Sequence, residues 1–140
     1  MPRDQLLKLL EEAVARELQA AIQYMWQHVA WRGPEAMGAE LKRIAVEEMR
    51  HAEAIAERLV DLGGLPPTSP TPVHVGESPE AMLERDALDE EGAVRLYQRI
   101  AEVARGEGDC DTAQLIESAM RDEEAHLAAF REMLRCLRGR

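Results

Sequence analysis

The stretch GGLPPTSPTPVHVGESP, residues 63–79, divides the chain into two halves and decides its fold. It contains five of the seven prolines, and no helix can cross it because proline lacks an amide hydrogen and clashes with the preceding turn. An extended segment of this length reaches roughly 45–50 Å at about 3.1 Å per residue, which is the length of a long helix bundle. Ser78, Pro79 and Glu80 are typical of an N-cap, a first-turn proline and a first-turn acid, so they predict a helix start.

On each side of this segment, apolar residues recur at spacings of three and four, which predicts amphipathic helices. These core-facing stripes run from Leu6 to Trp31, from Leu41 to Leu62, from Leu83 to Ala104 and from Ile116 to Leu137. Short breaks at Gly33-Pro34 and at Gly106–Asp109 join the helices of each half into an antiparallel hairpin. The sequence therefore predicts an all-α fold, an antiparallel four-helix bundle whose two hairpins are joined by a long crossover. The expected single domain covers 1–140, with helices at about 4–31, 35–62, 79–105 and 110–137 and the crossover at 63–78.

Composition limits the possible classes of protein. Of the 140 residues, 46% are hydrophobic and 31% are charged but only 4% are aromatic, which favours helices over a β-barrel or sandwich. The formal net charge of −10 argues against a nucleic-acid partner or an anionic membrane surface and favours cations. The sequence has neither a signal-peptide core nor an apolar run of membrane-spanning length. We therefore expect a cytoplasmic protein in which Cys110 and Cys136 are reduced thiols.

Each of the four stripes carries one glutamate near its middle, where a lone buried carboxylate costs several kcal/mol. Residues equidistant from a turn lie side by side in an antiparallel helix pair. The midpoint of Glu17 and Glu48 is 32.5, at the first break, and the midpoint of Glu90 and Glu123 is 106.5, at the second. Both pairs lie about 23 Å from their turns at 1.5 Å rise per residue, so the four carboxylates are expected to meet at one level of the bundle.

The two halves of the chain repeat one motif. His51 follows Glu48 by three residues and His126 follows Glu123 by three, a spacing that places both side chains on one helix face. Four carboxylates and two neutral imidazoles balance two divalent cations in charge, and this mixture of oxygen and imidazole donors suits iron or manganese. We expect Glu48 and Glu123 to bridge the ions, His51 and His126 to cap one ion each, and Glu17 and Glu90 to bind terminally. The alternative is a salt-bridged or solvated helical bundle without metal.

Acids beside these residues leave alternatives open. Asp89 competes with Glu90 as a ligand, although only Glu90 lies on the apolar stripe. Glu47, Asp86 and Asp122 flank the ligands, and they either accept hydrogen bonds from the histidines or are ordinary surface acids.

The aromatic residues and the two other histidines are also open to more than one interpretation. Tyr24 and Tyr97, the only tyrosines, each follow a stripe glutamate by seven residues. They either hydrogen-bond the ligand carboxylates or donate electrons, or they pack in the core with satisfied hydroxyls. His28 and His74 are expected on the surface or in the crossover, and the two tryptophans in the core or at an interface.

The sequence resembles the ferritin-like superfamily, and bacterioferritin most closely. The resemblance lies in Glu17-Leu-Gln-Ala-Ala-Ile-Gln-Tyr24, Glu48-Met-Arg-His51-Ala, Met82-Leu-Glu-Arg-Asp86-x₃-Glu90 and Arg121-Asp-Glu123-Glu-Ala-His126, and it covers nearly the whole chain. It implies a di-iron centre that oxidises Fe(II) with O₂ or H₂O₂, and iron storage in a 24-subunit shell. The metal-binding and catalytic residues that it implies are Glu17, Glu48, His51, Glu90, Glu123 and His126, which hold two Fe ions per chain, with Mn as an alternative.

This chain departs from the bacterioferritin pattern in one respect. Only 14 residues follow His126, so the short fifth helix of bacterioferritins is expected to be missing, and the closed cage with it. A homodimer or larger homo-oligomer remains the expectation. The alternative functions are a small di-iron or di-manganese oxidase or peroxidase without mineral storage, and a non-enzymatic structural bundle. Met49 stands where bacterioferritins use a methionine to bind haem between two subunits, and its alternative role is a core residue.

Overall fold

The computed structural model describes residues 2–139. Its four helices are α1 (Pro2–Ala30), α2 (Glu35–Asp61), α3 (Pro79–Gly106) and α4 (Cys110–Arg138), and the described residues contain no strand. Helix α1 packs closely on α2, and α3 on α4, while α1 also runs along α3 and α2 meets α4 over a much smaller area. The predicted all-α four-helix bundle is confirmed.

The helix ends follow the local chemistry of the sequence. Ser78 caps α3 as predicted, because its Oγ accepts a hydrogen bond from the amide of Ala81 at 3.1 Å and Pro79 occupies the first turn. Asp109 caps α4 in the same way, accepting from the amide of Thr112 at 3.1 Å. Gly108, with φ of 77°, takes the left-handed conformation that lets the chain reverse after α3.

The crossover lies against α1, and hydrogen bonds to glutamine side chains of that helix hold it there. The amide of His74 donates to Gln23 Oε1 at 2.9 Å, and Gln27 Nε2 donates to the carbonyl of Val75 at 2.9 Å. Thr71 adds a backbone bond to the carbonyl of Ala15 at 3.1 Å. The crossover therefore satisfies its polar backbone on α1 instead of forming a helix of its own.

The apolar core is divided into two clusters with a polar layer between them. One cluster contains Leu6, Leu10, Ile55, Leu59, Tyr97, Ile100 and Ile116, and the other contains Tyr24, Leu41, Ile44, Leu83 and Phe130. Each cluster includes one of the two tyrosines. The buried glutamates of the four helices form the layer between the clusters.

Several residues of the predicted core-facing stripes are only partly buried. They are Ala20, Trp31, Leu62, Val94, Met120 and Leu137. Trp31, Leu62 and Leu137 lie near helix ends, where no further layer of side chains covers them. The indole of Trp31 instead packs on Gly38, where a Cβ would come within 2.7 Å of its Cδ1, and its Nε1 donates to the carbonyl of Pro34 at 2.8 Å.

The remaining side chains outside the core behave largely as expected. Cys110 and Cys136 are free and exposed. The side chain of His74 is exposed, whereas His28 is partly buried, with its Nδ1 2.6 Å from the carbonyl oxygen of Gly38. Within residues 2–139, no helix combines the length and apolar character that crossing a membrane requires.

Candidate metal centre

Six side chains from all four helices converge in the polar layer. Helix α1 supplies Glu17, α2 supplies Glu48 and His51, α3 supplies Glu90, and α4 supplies Glu123 and His126. They form two overlapping groups, Glu17, Glu48, His51 and Glu123 in one and Glu48, Glu90, Glu123 and His126 in the other. Within each group, one potential ligand atom per residue lies within 4.8 Å of all the others. We call these six residues the central cluster.

At one end of the central cluster, Nδ1 of His51 faces three carboxylates. It lies 2.8 Å from Glu123 Oε1, 3.0 Å from Glu17 Oε2 and 3.2 Å from Glu48 Oε1. Its other ring nitrogen, Nε2, lies 2.9 Å from Asp122 Oδ2. The ring is thus oriented by one carboxylate outside the cluster and directed at three inside it.

The other end has the same arrangement around His126. Its Nδ1 lies 3.2 Å from Glu48 Oε1, 3.8 Å from Glu123 Oε1 and 3.9 Å from Glu90 Oε1, and its Nε2 lies 3.3 Å from Glu47 Oε1. The two imidazole rings are stacked with centroids 6.2 Å apart. Glu48 and Glu123 approach both histidines, whereas Glu17 approaches only His51 and Glu90 only His126.

Burial makes this concentration of acids electrostatically unfavourable without a counter-charge. Glu17, Glu48, Glu90 and Glu123 are each at most 1% exposed. Burial raises the pKa of Glu48, Glu90 and Glu123 well above its usual range, and repulsion between neighbouring carboxylates raises it further. Protons or cations are therefore required to neutralise the layer.

Several polar atoms of the cluster lie close to an oppositely charged or polar neighbour but make no hydrogen bond of acceptable geometry. They are Glu48 Oε1, Glu90 Oε2, both carboxylate oxygens of Glu123, and His126 Nδ1. Buried polar atoms are normally paired, and a group of unpaired oxygen and nitrogen acceptors around one point is the donor set of a metal site. The cluster fits two divalent cations in number of donors, type of donor and charge.

The two tyrosines hydrogen-bond the carboxylates that approach only one histidine each. The hydroxyl of Tyr24 donates to Glu90 Oε1 at 2.6 Å, and the hydroxyl of Tyr97 donates to Glu17 Oε1. Both phenols are buried, and burial raises their pKa well above 10.0, with nearby carboxylates adding to the effect. The tyrosines therefore act as hydrogen-bond donors and also pack in the two apolar clusters.

The flanking acids divide into two kinds. Asp122 and Glu47 contact the outward nitrogens of His51 and His126, each from the helix that carries the opposite histidine. Asp86 contacts neither histidine, because its Oδ1 accepts from Gln23 Nε2 and from Gln27 Nε2, both at 2.9 Å. Burial raises the pKa of Asp86 to about 8, although the two amide donors lower it.

The alternative ligand Asp89 lies outside the central cluster. Its Oδ2 accepts from Gln23 Nε2 at 2.9 Å, and its Oδ1 lies 3.3 Å from Arg85 Nη2. The glutamines that hold these acids, Gln19, Gln23 and Gln27, are buried polar residues that the sequence analysis did not identify. Their spacing of four residues places the three side chains on one face of α1, and this pattern could have indicated a polar, hydrogen-bonding face.

A small cavity of about 10 Å³ reaches the cluster from the side where α1 meets α3. Its lining includes cluster glutamates together with Arg16, Tyr24 and Asp89. Arg16 extends over this side of α3, where its Nη2 donates to the carbonyl of Asp89 at 3.3 Å. Gly92 makes room for it, since a Cβ at that position would collide with the guanidinium group.

Met49 lies on the surface of α2 and not in the core or the central cluster. It is 49% exposed, and it lines an apolar groove of about 420 Å³ together with Ile22, Met25 and Val46. Trp26 is also 48% exposed, so it is not a core residue. Of the two expectations for Met49, the core position is wrong.

Comparison with known proteins points to one family. Residues 7–139 match the ferritin-like domain family. A bacterioferritin from Desulfovibrio desulfuricans is 37% identical over 128 residues, covering 89% of this chain and 72% of the relative. Its crystal structure, which describes the di-iron site in different catalytic states, superimposes with a TM-score of 0.92 at 33% identity over 99% of this chain and 82% of that chain.

Two further solved structures are similar. A ferritin-like di-iron-carboxylate protein from Bacillus anthracis superimposes with a TM-score of 0.92 at 25% identity, covering 96% of this chain and 98% of that chain. The bacterioferritin of Rhodobacter capsulatus, with a metal-free dinuclear site and a haem iron, has a TM-score of 0.88 at 28% identity, covering 95% of this chain and 85% of that chain.

Proposed function

The chain belongs to the ferritin-like family, and on that premise we propose that it binds two iron ions in the central cluster and oxidises Fe(II) with O₂ or H₂O₂. The observation that carries the proposal is the group of unpaired, buried carboxylate oxygens and imidazole nitrogen in that cluster. Two divalent cations would neutralise four buried carboxylates, and the oxygen and imidazole donors suit iron, with manganese as an alternative metal.

The distances support a distinct role for each ligand. Glu48 and Glu123 approach both histidines, which supports their bridging two ions. His51 and His126 would cap one ion each through Nδ1. Glu17 and Glu90 approach one histidine each, which supports terminal binding.

The protein's own residues would orient the ligands and control protons. Bound Fe(II) supplies the electrons that reduce the oxidant. Tyr24 and Tyr97 hold the terminal carboxylates by hydrogen bonds. Asp122 and Glu47 lie beside Nε2 of His51 and His126, where each would accept a hydrogen bond from a protonated Nε2 and so leave Nδ1 free to bind. The apolar clusters on both sides limit access of water to the layer.

An anaerobic Fe(II) titration followed by addition of O₂ or H₂O₂ tests this function. We expect binding to saturate at about two Fe(II) per chain and near-ultraviolet absorption of ferric iron to appear after oxidant is added. Glu123→Gln removes a ligand charge at the centre and should abolish this stoichiometry, whereas the adjacent exposed Glu124→Gln should preserve it. A wild-type chain that binds no metal would overturn the proposal and favour a structural bundle.

Storage of a mineral and oxidation without storage are separate versions of this function. The similar ferritin-like protein from Bacillus anthracis, of which this chain covers 98%, is described as a di-iron-carboxylate protein, which is compatible with an oxidase or peroxidase and supports the di-iron centre common to both versions. The bacterioferritin relatives support storage. Light scattering before and after loading with excess iron distinguishes them, because a dimer cannot enclose a mineral core and an assembly of about 24 chains can.

A haem site shared by two copies of the chain is a second candidate feature. It is supported by the exposed thioether of Met49 in an apolar groove, and by the haem iron in the Rhodobacter capsulatus relative. Haem titration should give a Soret shift that Met49→Leu abolishes. Met25→Leu, in the same groove, is the matched control, and an unchanged titration of the Met49 variant would contradict the site.

A further inference from the structure

One member of the central cluster is more exposed than the others. His51 is 12% exposed, whereas the side chains of the other five members are at most 2% exposed. Its Nε2 faces Asp122 of α4, and α2 and α4 pack over a smaller area than the other neighbouring helix pairs. An ion that approaches from this side meets His51 before it meets any buried carboxylate.

The acid beside His51 is available to a cation. Asp122 is 51% exposed and places Oδ2 2.9 Å from His51 Nε2, and among the described residues His51 is its one ion-pair partner. Glu47, which holds the corresponding position beside His126, is less exposed at 27% and is paired with Arg43. Of the two outer carboxylates, Asp122 is therefore the more exposed, and among the described residues it has no arginine partner.

On the opposite side of the cluster, where α1 meets α3, Arg16 provides a positive charge. The small cavity between α1 and α3 borders the buried glutamates, and it is lined by Arg16, whose Nη2 donates to the carbonyl of Asp89 at 3.3 Å. A fixed guanidinium repels a divalent cation and does not repel a neutral molecule such as O₂ or H₂O₂. The two approaches thus differ in the side chain beside them: Asp122 flanks one, and among the described residues Arg16 is the one basic side chain lining the other.

We infer that divalent cations enter the central cluster from the α2–α4 side, past Asp122 and His51, and that Arg16 closes the α1–α3 side to them. This inference rests on the proposed function, because it assumes that the cluster binds metal. Asp122 is then an attracting and positioning residue, and Arg16 determines which route a cation takes.

Stopped-flow uptake of Co(II), followed by its visible ligand-field absorption, tests the route without redox chemistry. Asp122→Asn keeps an oxygen that can accept from His51 Nε2 but removes the charge. We expect it to lower the second-order rate constant about three- to tenfold and to weaken its dependence on ionic strength. The stoichiometry should stay at about two Co(II) per chain, and the exposed neighbour Glu124→Gln should leave the rate unchanged.

The double variant Asp122→Asn/Arg16→Gln tests whether Arg16 keeps cations from entering on the α1–α3 side. Removing the guanidinium should open the second route and recover part of the lost rate, whereas Arg99→Gln in the same background removes a positive charge elsewhere and should recover none. An Asp122→Asn chain that takes up two Co(II) at the wild-type rate overturns the route and leaves the metal function intact. A double variant no faster than Asp122→Asn overturns the role of Arg16, and a wild-type chain that binds no Co(II) overturns the metal function itself.

Discussion

Nδ1 of His51 lies 2.8 Å from Glu123 Oε1, which joins a residue of the first half of the chain to one of the second half inside the bundle. His51 also lies within 3.2 Å of Glu48 on its own helix, three residues away. His51 thus brings side chains of both Glu-x-x-His motifs into one cluster.

Glu123→Gln is expected to separate stability from metal binding. At pH 8 the metal-free variant should be more stable than wild type by about 1–4 kcal/mol, because a neutral amide replaces a buried acid among other acids. Wild type should gain about 2.7 kcal/mol for each bound Co(II) at one hundred times the dissociation constant, and the variant much less. Chemical denaturation with and without Co(II) measures both effects, with Glu124→Gln as the control. Equal stabilisation of wild type and Glu123→Gln by Co(II) would contradict the assignment.

Tyr24→Phe and Tyr97→Phe are expected to destabilise the metal-free protein by about 1–3 kcal/mol each. Each substitution leaves the ring in its apolar cluster but removes the hydroxyl that donates to Glu90 or Glu17. Guanidinium denaturation at constant pH measures the loss, and Trp26→Phe on the surface serves as the control. If both tyrosine variants have the same free energy of unfolding as wild type, the two hydrogen bonds contribute nothing to stability.

The metal-free protein is expected to lose stability as pH rises from about 4 to about 8. Asp86, whose pKa is raised to about 8 in the folded protein, keeps a proton that the unfolded chain releases near pH 4. Its contribution is therefore complete below about pH 4 and disappears as pH passes through the folded value. Asp86→Asn should reduce this slope by up to about 1.4 kcal/mol per pH unit, because an amide does not titrate.

Denaturation of metal-free protein between pH 5 and pH 9 checks the effect of Asp86, and Glu124→Gln provides a control at an exposed acid. Identical slopes for wild type and Asp86→Asn would show that Asp86 does not hold the proton.

Metal binding is expected to release protons from the central cluster. Burial raises the pKa of Glu48, Glu90 and Glu123, which favours the protonated carboxyl groups in the metal-free layer, and divalent cations displace such protons. Calorimetric Co(II) titrations in buffers of different ionisation enthalpy should therefore give a binding enthalpy that depends on the buffer. Binding enthalpies that do not depend on the buffer would show that the carboxylates are already ionised.

The fold could be predicted from local chemistry. The five prolines between residues 63 and 79 exclude a helix, and Ser78 and Pro79 mark where the next one begins. The mid-helix glutamates were located from their distance to the turns, because the antiparallel hairpins are regular. The choice of Glu90 over Asp89 followed from the helical period alone.

The environment of the site could not be predicted in the same way. Nothing in the sequence shows that Asp86 is held by Gln23 and Gln27, because those residues are far apart in the chain and meet only where α1 packs on α3. Sequence proximity to the ligands suggested the same role for Asp86 as for Asp122. Their surroundings differ, since Asp86 is buried and Asp122 is half exposed.

The sequence by itself determined the four helices, the crossover and the six residues of the central cluster. Those features depend on the helical repeat, on proline and glycine, and on residue spacing, which are properties of short stretches of chain. Only the tertiary structure decided which side of the cluster is open, which outer acid Arg43 neutralises and where Arg16 lies. These properties depend on how closely each pair of helices packs, and the packing is set by contacts between residues that are distant in sequence.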